Sequence, residues 1–158
     1  MKLENILLTK DYDVKIIDFG FSKHMDGILT SKMGTAAYMA PEMLKKNPNY
    51  IGTDIDLFAA VVILFMLISK CPPFTDEASA KDPFYSLISQ NKKDKFWEAH
   101  EKTKPMGIYS KEFKDLVNCM LSEKPQMRMS LCDLIAHPWM RGPVASKAEV
   151  HKELTLRK

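Results

Sequence analysis

The chain has 158 residues, 46% hydrophobic and 27% charged, with 23 basic and 20 acidic residues and a net charge of +3. That length fits one domain or part of one, since a domain takes about 100–200 residues, and the composition speaks against wholesale disorder, a collagenous repeat or a coiled coil. The charge is too small and too mixed to point to nucleic acid. Cys71, Cys119 and Cys132 are odd in number and contain no CxxC, so neither a disulfide framework nor a zinc ribbon has support, and a reduced cytosolic thiol set is expected.

In chain order, Asn5–Leu8 and Val14–Ile17 are short apolar runs around the turn cluster 9–13, which predicts a β-hairpin. Asp18-Phe19-Gly20 follows at its end. Residues 21–39 carry Gly27, Gly34 and many Ser, Thr and Lys residues without a sustained period, which predicts a long irregular loop. Ala40–Leu44 starts a short helix, with Pro41 where a missing N–H costs least. Leu57–Ile68 is the longest apolar run, too short for the roughly 18 residues that suggest a membrane span; a helix buried on all sides is expected, stopped by Cys71-Pro72-Pro73-Phe74. Residues 79–102 mix aromatics and charges at helical spacing. Ser110–Leu121 is amphipathic, with Phe113, Leu116, Val117, Met120 and Leu121 on one face. Ser130–His137 is a further helix, with Ser130 as N-cap. From Arg141 a polar, mildly basic tail is expected to be helical or frayed. The hairpin, marginal alone in water, must pack on something.

Asn5 and Asp18 stand at the two open ends of the hairpin. An amide oxygen and a carboxylate converging there are hard donors suited to Mg²⁺ and its phosphate ligands. Alone, such a pair is weak evidence. Its surroundings change the odds: Asp18-Phe19-Gly20 matches DFG, Ala40-Pro41-Glu42 matches APE, and Lys2-Leu3-Glu4-Asn5 fits the end of H-R-D-L-x-x-x-N, with Met1 at its Leu. The chain therefore resembles the C-terminal lobe of a eukaryotic protein kinase, over roughly residues 1–140, with an activation segment at about 18–42 and a tail at 141–158. Lys2 and the Gly34-Thr35 pair ahead of Tyr38 are typical of the serine/threonine branch. Asp56–Ala60, Pro72-Pro73-Phe74 and His137-Pro138-Trp139 look most like the calcium/calmodulin-dependent-kinase-like and AMP-activated-kinase-like groups.

The resemblance implies a mainly α fold with a short β-hairpin, and transfer of the ATP γ-phosphate to protein Ser/Thr hydroxyls. It implies that Asn5 and Asp18 hold Mg²⁺ on ATP and that Lys2 steadies the transferring phosphoryl group. Leu7 would floor the adenine, continued by Ile63 and Leu67. Glu4 would meet a basic substrate side chain, and Thr35 would shape the substrate loop. Thr30 and Ser31 would be sites for an upstream kinase. Phe19, Gly20, Glu42, Asp56 and Arg128 would be structural, with Glu42 and Arg128 a buried pair and Asp56 an acceptor for the catalytic-loop backbone. The implied location is cytoplasmic, with the nucleus also open, and no membrane or nucleic-acid partner is expected.

The matched motif places a catalytic aspartate immediately before the position of Met1, preceded by histidine and arginine. No GxGxxG and no Val-Ala-Ile-Lys occurs among these residues, so the ATP-covering N-terminal lobe is not in the sequence. These 158 residues are accordingly expected to be inactive or nearly so, and to be a fragment of a longer kinase. Loss of the lobe and of a preceding helix should open part of the 57–68 helix to a partner. Without the motif arginine, Lys23 is a partial substitute as partner for a phosphate on Thr30 or Ser31. Val61 stands where the family commonly has glycine. The other reading is a non-catalytic interaction or scaffold module. A basic nucleic-acid binder is weaker, because acidic residues are interspersed. Plainer readings attach to the remaining motifs: Asp11-Tyr12-Asp13 as a turn, His137 as a helix-end residue, Cys119, Cys132 and His137 as no zinc site, the eleven methionines as core filler, and Phe96 and Trp97 as the cap of a small apolar cluster.

Overall fold

The computed structural model describes residues 1–24 and 27–157. Leu3–Asn5 make one 3₁₀ turn that runs straight into strand β1, Ile6–Leu8. Strand β2, Val14–Ile16, returns antiparallel with Ile6 opposite Ile16 and Leu8 opposite Val14. Local chemistry builds the reversal. Thr9 Oγ1 accepts from the amides of Asp11 and Asp13 at 3.3 and 3.1 Å, and Tyr12 adopts a left-handed φ of 63°. One further rung, from the Ile17 amide to the Asn5 carbonyl at 2.9 Å, draws the open ends together.

The following segment is less irregular than its composition predicts. Leu29 and Tyr50 exchange backbone hydrogen bonds of 2.9 and 3.1 Å, and Ala36–Tyr38 form a 3₁₀ turn. Met25 and Asp26, inside the expected loop, lie outside the described residues. Helix α1, Pro41–Leu44, begins with the proline at its first position.

Helix α2, Gly52–Ser69, starts ahead of the apolar run and ends where Lys70 turns left-handed, its amide reaching the Met66 carbonyl at 2.8 Å. At 18 residues it is long and apolar enough to cross a membrane, yet its inner face is core: Phe58, Ala59, Val61, Val62, Ile63 and Phe65 are buried. The expectation of burial on all sides is corrected, because Leu67 is 63% exposed. The opening expected from 57–68 is thus concentrated at that residue.

The mixed segment 79–102 resolves into two helices, α3 at Tyr85–Ser89 and α4 at Lys93–Glu101, separated by Asn91 at φ 56°. Asp82 anchors the approach to α3 by accepting from the amides of Thr75, Asp76, Phe84 and Tyr85 at 2.7–3.1 Å. Helix α5, Lys111–Met120, and helix α6, Leu131–Ala136, are each N-capped by a serine hydroxyl: Ser110 accepts from Phe113 and Ser130 from Asp133. The tail contains helix α7, Lys147–Thr155, closed at its start by a reciprocal Ser146–Glu149 capping box.

The core forms where α2 packs on α5, around Phe65. The rings of Phe96, Trp97, His100, Tyr109 and Phe113 lie 5.0–6.3 Å from it, centre to centre. Phe96 and Trp97 are therefore central residues of a large aromatic core rather than the cap of a small cluster, being 0% and 4% exposed. Each large apolar side chain buried this fully contributes about 1.5–3 kcal/mol. The methionine expectation also needs correction. Met39, Met43 and Met120 are core, but Met1, Met33, Met106, Met127 and Met140 are exposed.

Candidate functional site

The hairpin's open end brings Asn5 and Asp18 into contact. Asn5 Nδ2 donates to Asp18 Oδ2 over 3.4 Å, a long bond between two groups thirteen positions apart. Asp18 holds a left-handed φ of 63°, an uncommon conformation for a non-glycine residue that turns its carboxylate back toward the ribbon. The Gly20 amide donates to the other oxygen, Oδ1, at 3.1 Å. A Cβ on residue 20 would stand 3.1 Å from that same oxygen, so glycine permits the approach.

These donors suit a hard cation. The Asp18 carboxylate has one oxygen steadied by a backbone amide and the other facing Asn5. A half-turn of the Asn5 amide would present its oxygen beside the carboxylate, giving two oxygen ligands of the kind Mg²⁺ takes along with phosphate and water. The pair opens on a cavity of about 550 Å³ whose lining includes Lys2, Phe19, Lys23, Thr35 and Asp56. That is within the range of small-molecule sites. Two lysines and two aspartates on its wall provide both signs of charge.

Lys2 is partly buried and Glu4 exposed. Glu4 receives a hydrogen bond from the Tyr38 hydroxyl at 3.3 Å. Burial pushes that hydroxyl's pKa up, a hydrogen bond with the Leu3 backbone lowers it, and the Glu4 charge raises it further, so Tyr38 remains a donor at neutral pH. Nothing in the sequence besides its place ahead of Ala40-Pro41-Glu42 signalled Tyr38 as the partner of Glu4. Thr35 is exposed and accepts the Tyr38 amide at its carbonyl, 3.0 Å away.

Ser31 accepts from Lys23 Nζ at 2.8 Å, and its carbonyl accepts from the Tyr50 hydroxyl. Thr30, its neighbour, is exposed. Lys23 and Ser31 share a second hollow, about 150 Å³, with Thr35 and Tyr38.

Leu7 is 49% and Phe19 67% exposed. Ile63 is 4% exposed inside the core while Leu67, one turn on, is 63% exposed, so the burial of the expected apolar column changes within a single turn. Asp56 Oδ1 lies 3.8 Å from the Met1 nitrogen, within ion-pair reach but beyond hydrogen-bond distance. Val61 is accommodated at 3% exposure in the middle of α2.

Beneath the site, Glu42 and Arg128 make a two-pronged pair at 2.7 and 2.8 Å, both side chains almost wholly buried. Arg128 Nε also donates to the Ser122 carbonyl at 3.0 Å, and its guanidinium lies 4.9 Å from the centre of the Phe58 ring. One arginine thus joins α1, α2 and the approach to α6. His137 accepts the Trp139 amide at Nδ1 and faces the Asp115 carboxylate from Nε2, which accounts for both its nitrogens.

Comparison with known proteins places residues 1–140 in the family described as "Protein kinase domain". The chain is 34% identical to CBL-interacting serine/threonine-protein kinase 5 of Arabidopsis thaliana, over 89% of the chain and 30% of that protein. It is 31% identical to calcium-dependent protein kinase 29 of the same plant, over 99% of the chain and 28% of the relative. It is 29% identical to calcium/calmodulin-dependent protein kinase type 1 of Caenorhabditis briggsae, over 99% and 42%. The chain thus spans less than half the length of these curated relatives.

Proposed function

Because this chain belongs to the protein kinase family, in its serine/threonine branch, we propose that it forms the magnesium- and substrate-facing floor of a kinase that transfers the ATP γ-phosphate to protein Ser/Thr hydroxyls. The observation that carries this reading is the meeting of Asn5 and Asp18 at the open end of the ribbon, on the wall of a cavity of about 550 Å³. Mg²⁺ bound there would neutralise phosphate charge. Asn5 and Asp18 would orient it, Gly20 would keep the Asp18 carboxylate aimed, and Lys2 would supply positive charge near the transferring group.

Protein substrates would lie across Glu4, Thr35 and Tyr38. Glu4, held by Tyr38, suits a basic side chain on the substrate. Phosphorylation of Ser31 or Thr30 by an upstream kinase would add negative charge beside Lys23, whose ammonium already touches the Ser31 hydroxyl.

These 158 residues contain no aspartate at the matched catalytic-base position, and general-base help is worth about 10²–10⁴-fold. Transfer by them alone should be very slow. The exposed apolar surface of the ribbon, including Leu7, Leu8, Val14 and Ile16, favours a second reading, an interaction module that binds a protein through that face.

The test compares this chain with one extended upstream through the catalytic aspartate and the ATP-covering lobe. Mg²⁺-dependent ATP binding and substrate phosphorylation are expected from the extended chain and lost in its Asp18→Ala variant. An extended chain that binds no Mg²⁺-ATP would overturn the kinase reading in favour of the interaction module.

A further inference from the structure

The ribbon that carries Asn5 and Asp18 has little support of its own. Leu7, Leu8, Val14 and Ile16 are 49%, 51%, 63% and 51% exposed, and a two-stranded hairpin is marginal in water. At its open end Leu3 and Ile6 pack on the main core. At its turn, support comes from the far end of the chain. The Tyr12 hydroxyl lies 3.1 Å from Thr155 Oγ1, and the Tyr12 ring meets the His151 ring edge-on at 5.1 Å. Asp13 Oδ1 is 3.3 Å from Lys147 Nζ.

Residues 147, 151 and 155 are spaced by four, so all three contacts come from a single stripe of α7. The helix is itself a dependent element. It is nine residues long with no fully buried residue, short of the roughly 12–15 residues at which isolated helices become even marginal. Its capping box and the Glu153–Arg157 ion pair prepare it locally, and His151 Nδ1 lies 3.4 Å from Thr155 Oγ1 along the stripe. Two marginal elements, a ribbon and a short helix, therefore each find a partner in the other.

We propose that α7 is a latch on the hairpin turn: seated through Lys147, His151 and Thr155 on Asp13 and Tyr12, it keeps β1 and β2 paired, and its release lets the ribbon fray from the turn inward. Fraying at the turn loosens the strands whose other ends present Asn5 and Asp18. That consequence for metal binding rests on the proposed function; the latch does not. A protein that captured α7, or a modification that broke its stripe, would act on the site from behind, without touching the cavity.

The test is amide hydrogen exchange on the full chain, comparing peptides that cover residues 6–16 with peptides that cover α5. Lys147→Glu sets a carboxylate against Asp13. It should speed exchange in the ribbon roughly two- to fivefold, the scale of a surface ion pair, and leave α5 unchanged. The exchanged pair Asp13→Lys with Lys147→Glu should restore the slower rate, and Tyr12→Phe should speed the ribbon by a similar factor. Ribbon exchange unaltered by Lys147→Glu and Tyr12→Phe, or acceleration that the exchanged pair fails to reverse, overturns the latch. Exchange reads the latch whether or not nucleotide binds, so its failure and the failure of the kinase reading are separate results.

Discussion

Arg128 offers its guanidinium to the Glu42 carboxylate twice, to the Ser122 carbonyl once, and to the face of Phe58, with the Arg128 and Glu42 side chains almost wholly buried. Replacing a buried pair with apolar groups is often nearly neutral, but removing one partner strands the other charge. Arg128→Ala should therefore lower unfolding stability by about 3–5 kcal/mol, read as a fall in the urea midpoint. Arg128→Lys should recover little of it, because an ammonium cannot make the paired fork. His100 gives a prediction in pH. Burial among Phe65, Phe84 and Phe96 lowers its pKa below 6.5, with the nearby Lys104 charge acting the same way and carbonyl hydrogen bonds acting against it. The folded state then binds fewer protons than the unfolded state as pH falls below the usual histidine value. This contribution is fully present above about pH 6.5 and is lost as acid protonates the unfolded chain first. Urea midpoints measured at pH 7.5 and pH 5.5 should differ more for this chain than for His100→Gln.

At the scale of the element, Val61 is a built-in part of the packing of α2. Val61 is 3% exposed, so its side chain fills space and is not merely tolerated. Val61→Gly would lose the buried isopropyl group and place glycine in a helix interior. The combined cost should be about 2–3 kcal/mol, seen as a lower melting temperature; unchanged or higher stability would mean that Val61 strains the helix. The amphipathic helix α5 depends on a different device. Ser110 accepts the Phe113 amide at 3.1 Å, which satisfies one of the four donors a helix start leaves open. Ser110→Ala should cost about 1 kcal/mol, measurable in the same urea titration. Because Phe113 packs at the aromatic centre, loosening that first turn also disturbs the contact between α5 and α2.

For the whole molecule, the main imbalance is between a well-filled helical core and an open ribbon. Phe58, Phe65, Phe96, Phe113, Leu116 and Met120 are all within 1% of complete burial, whereas Phe19, Phe21 and Val14 are 63–67% exposed. Exposed apolar surface binds partners or environment-sensitive dyes. This chain should therefore enhance the fluorescence of an apolar dye under native conditions, and a chain extended upstream should do so several-fold less if the added part covers the ribbon. Equal enhancement by the two chains would show that the surface stays open.

Much of this was legible along the sequence. The hairpin followed from two short apolar runs around a turn cluster, α5 from its amphipathic period, and α6 from Ser130 as a helix-start cap, because these signals act between residues a few positions apart. Asp18-Phe19-Gly20 and Ala40-Pro41-Glu42 likewise identified the family by local pattern. The chain alone could not show that Tyr38 holds Glu4, that Phe96 and Trp97 occupy the centre of the core, or that α7 returns to the hairpin turn. Each of those depends on residues far apart in sequence or on how a loop folds back, and so on the packing of helices against one another. Local residue chemistry determined which elements form; only the tertiary fold decided which of their faces meet and which remain open to water.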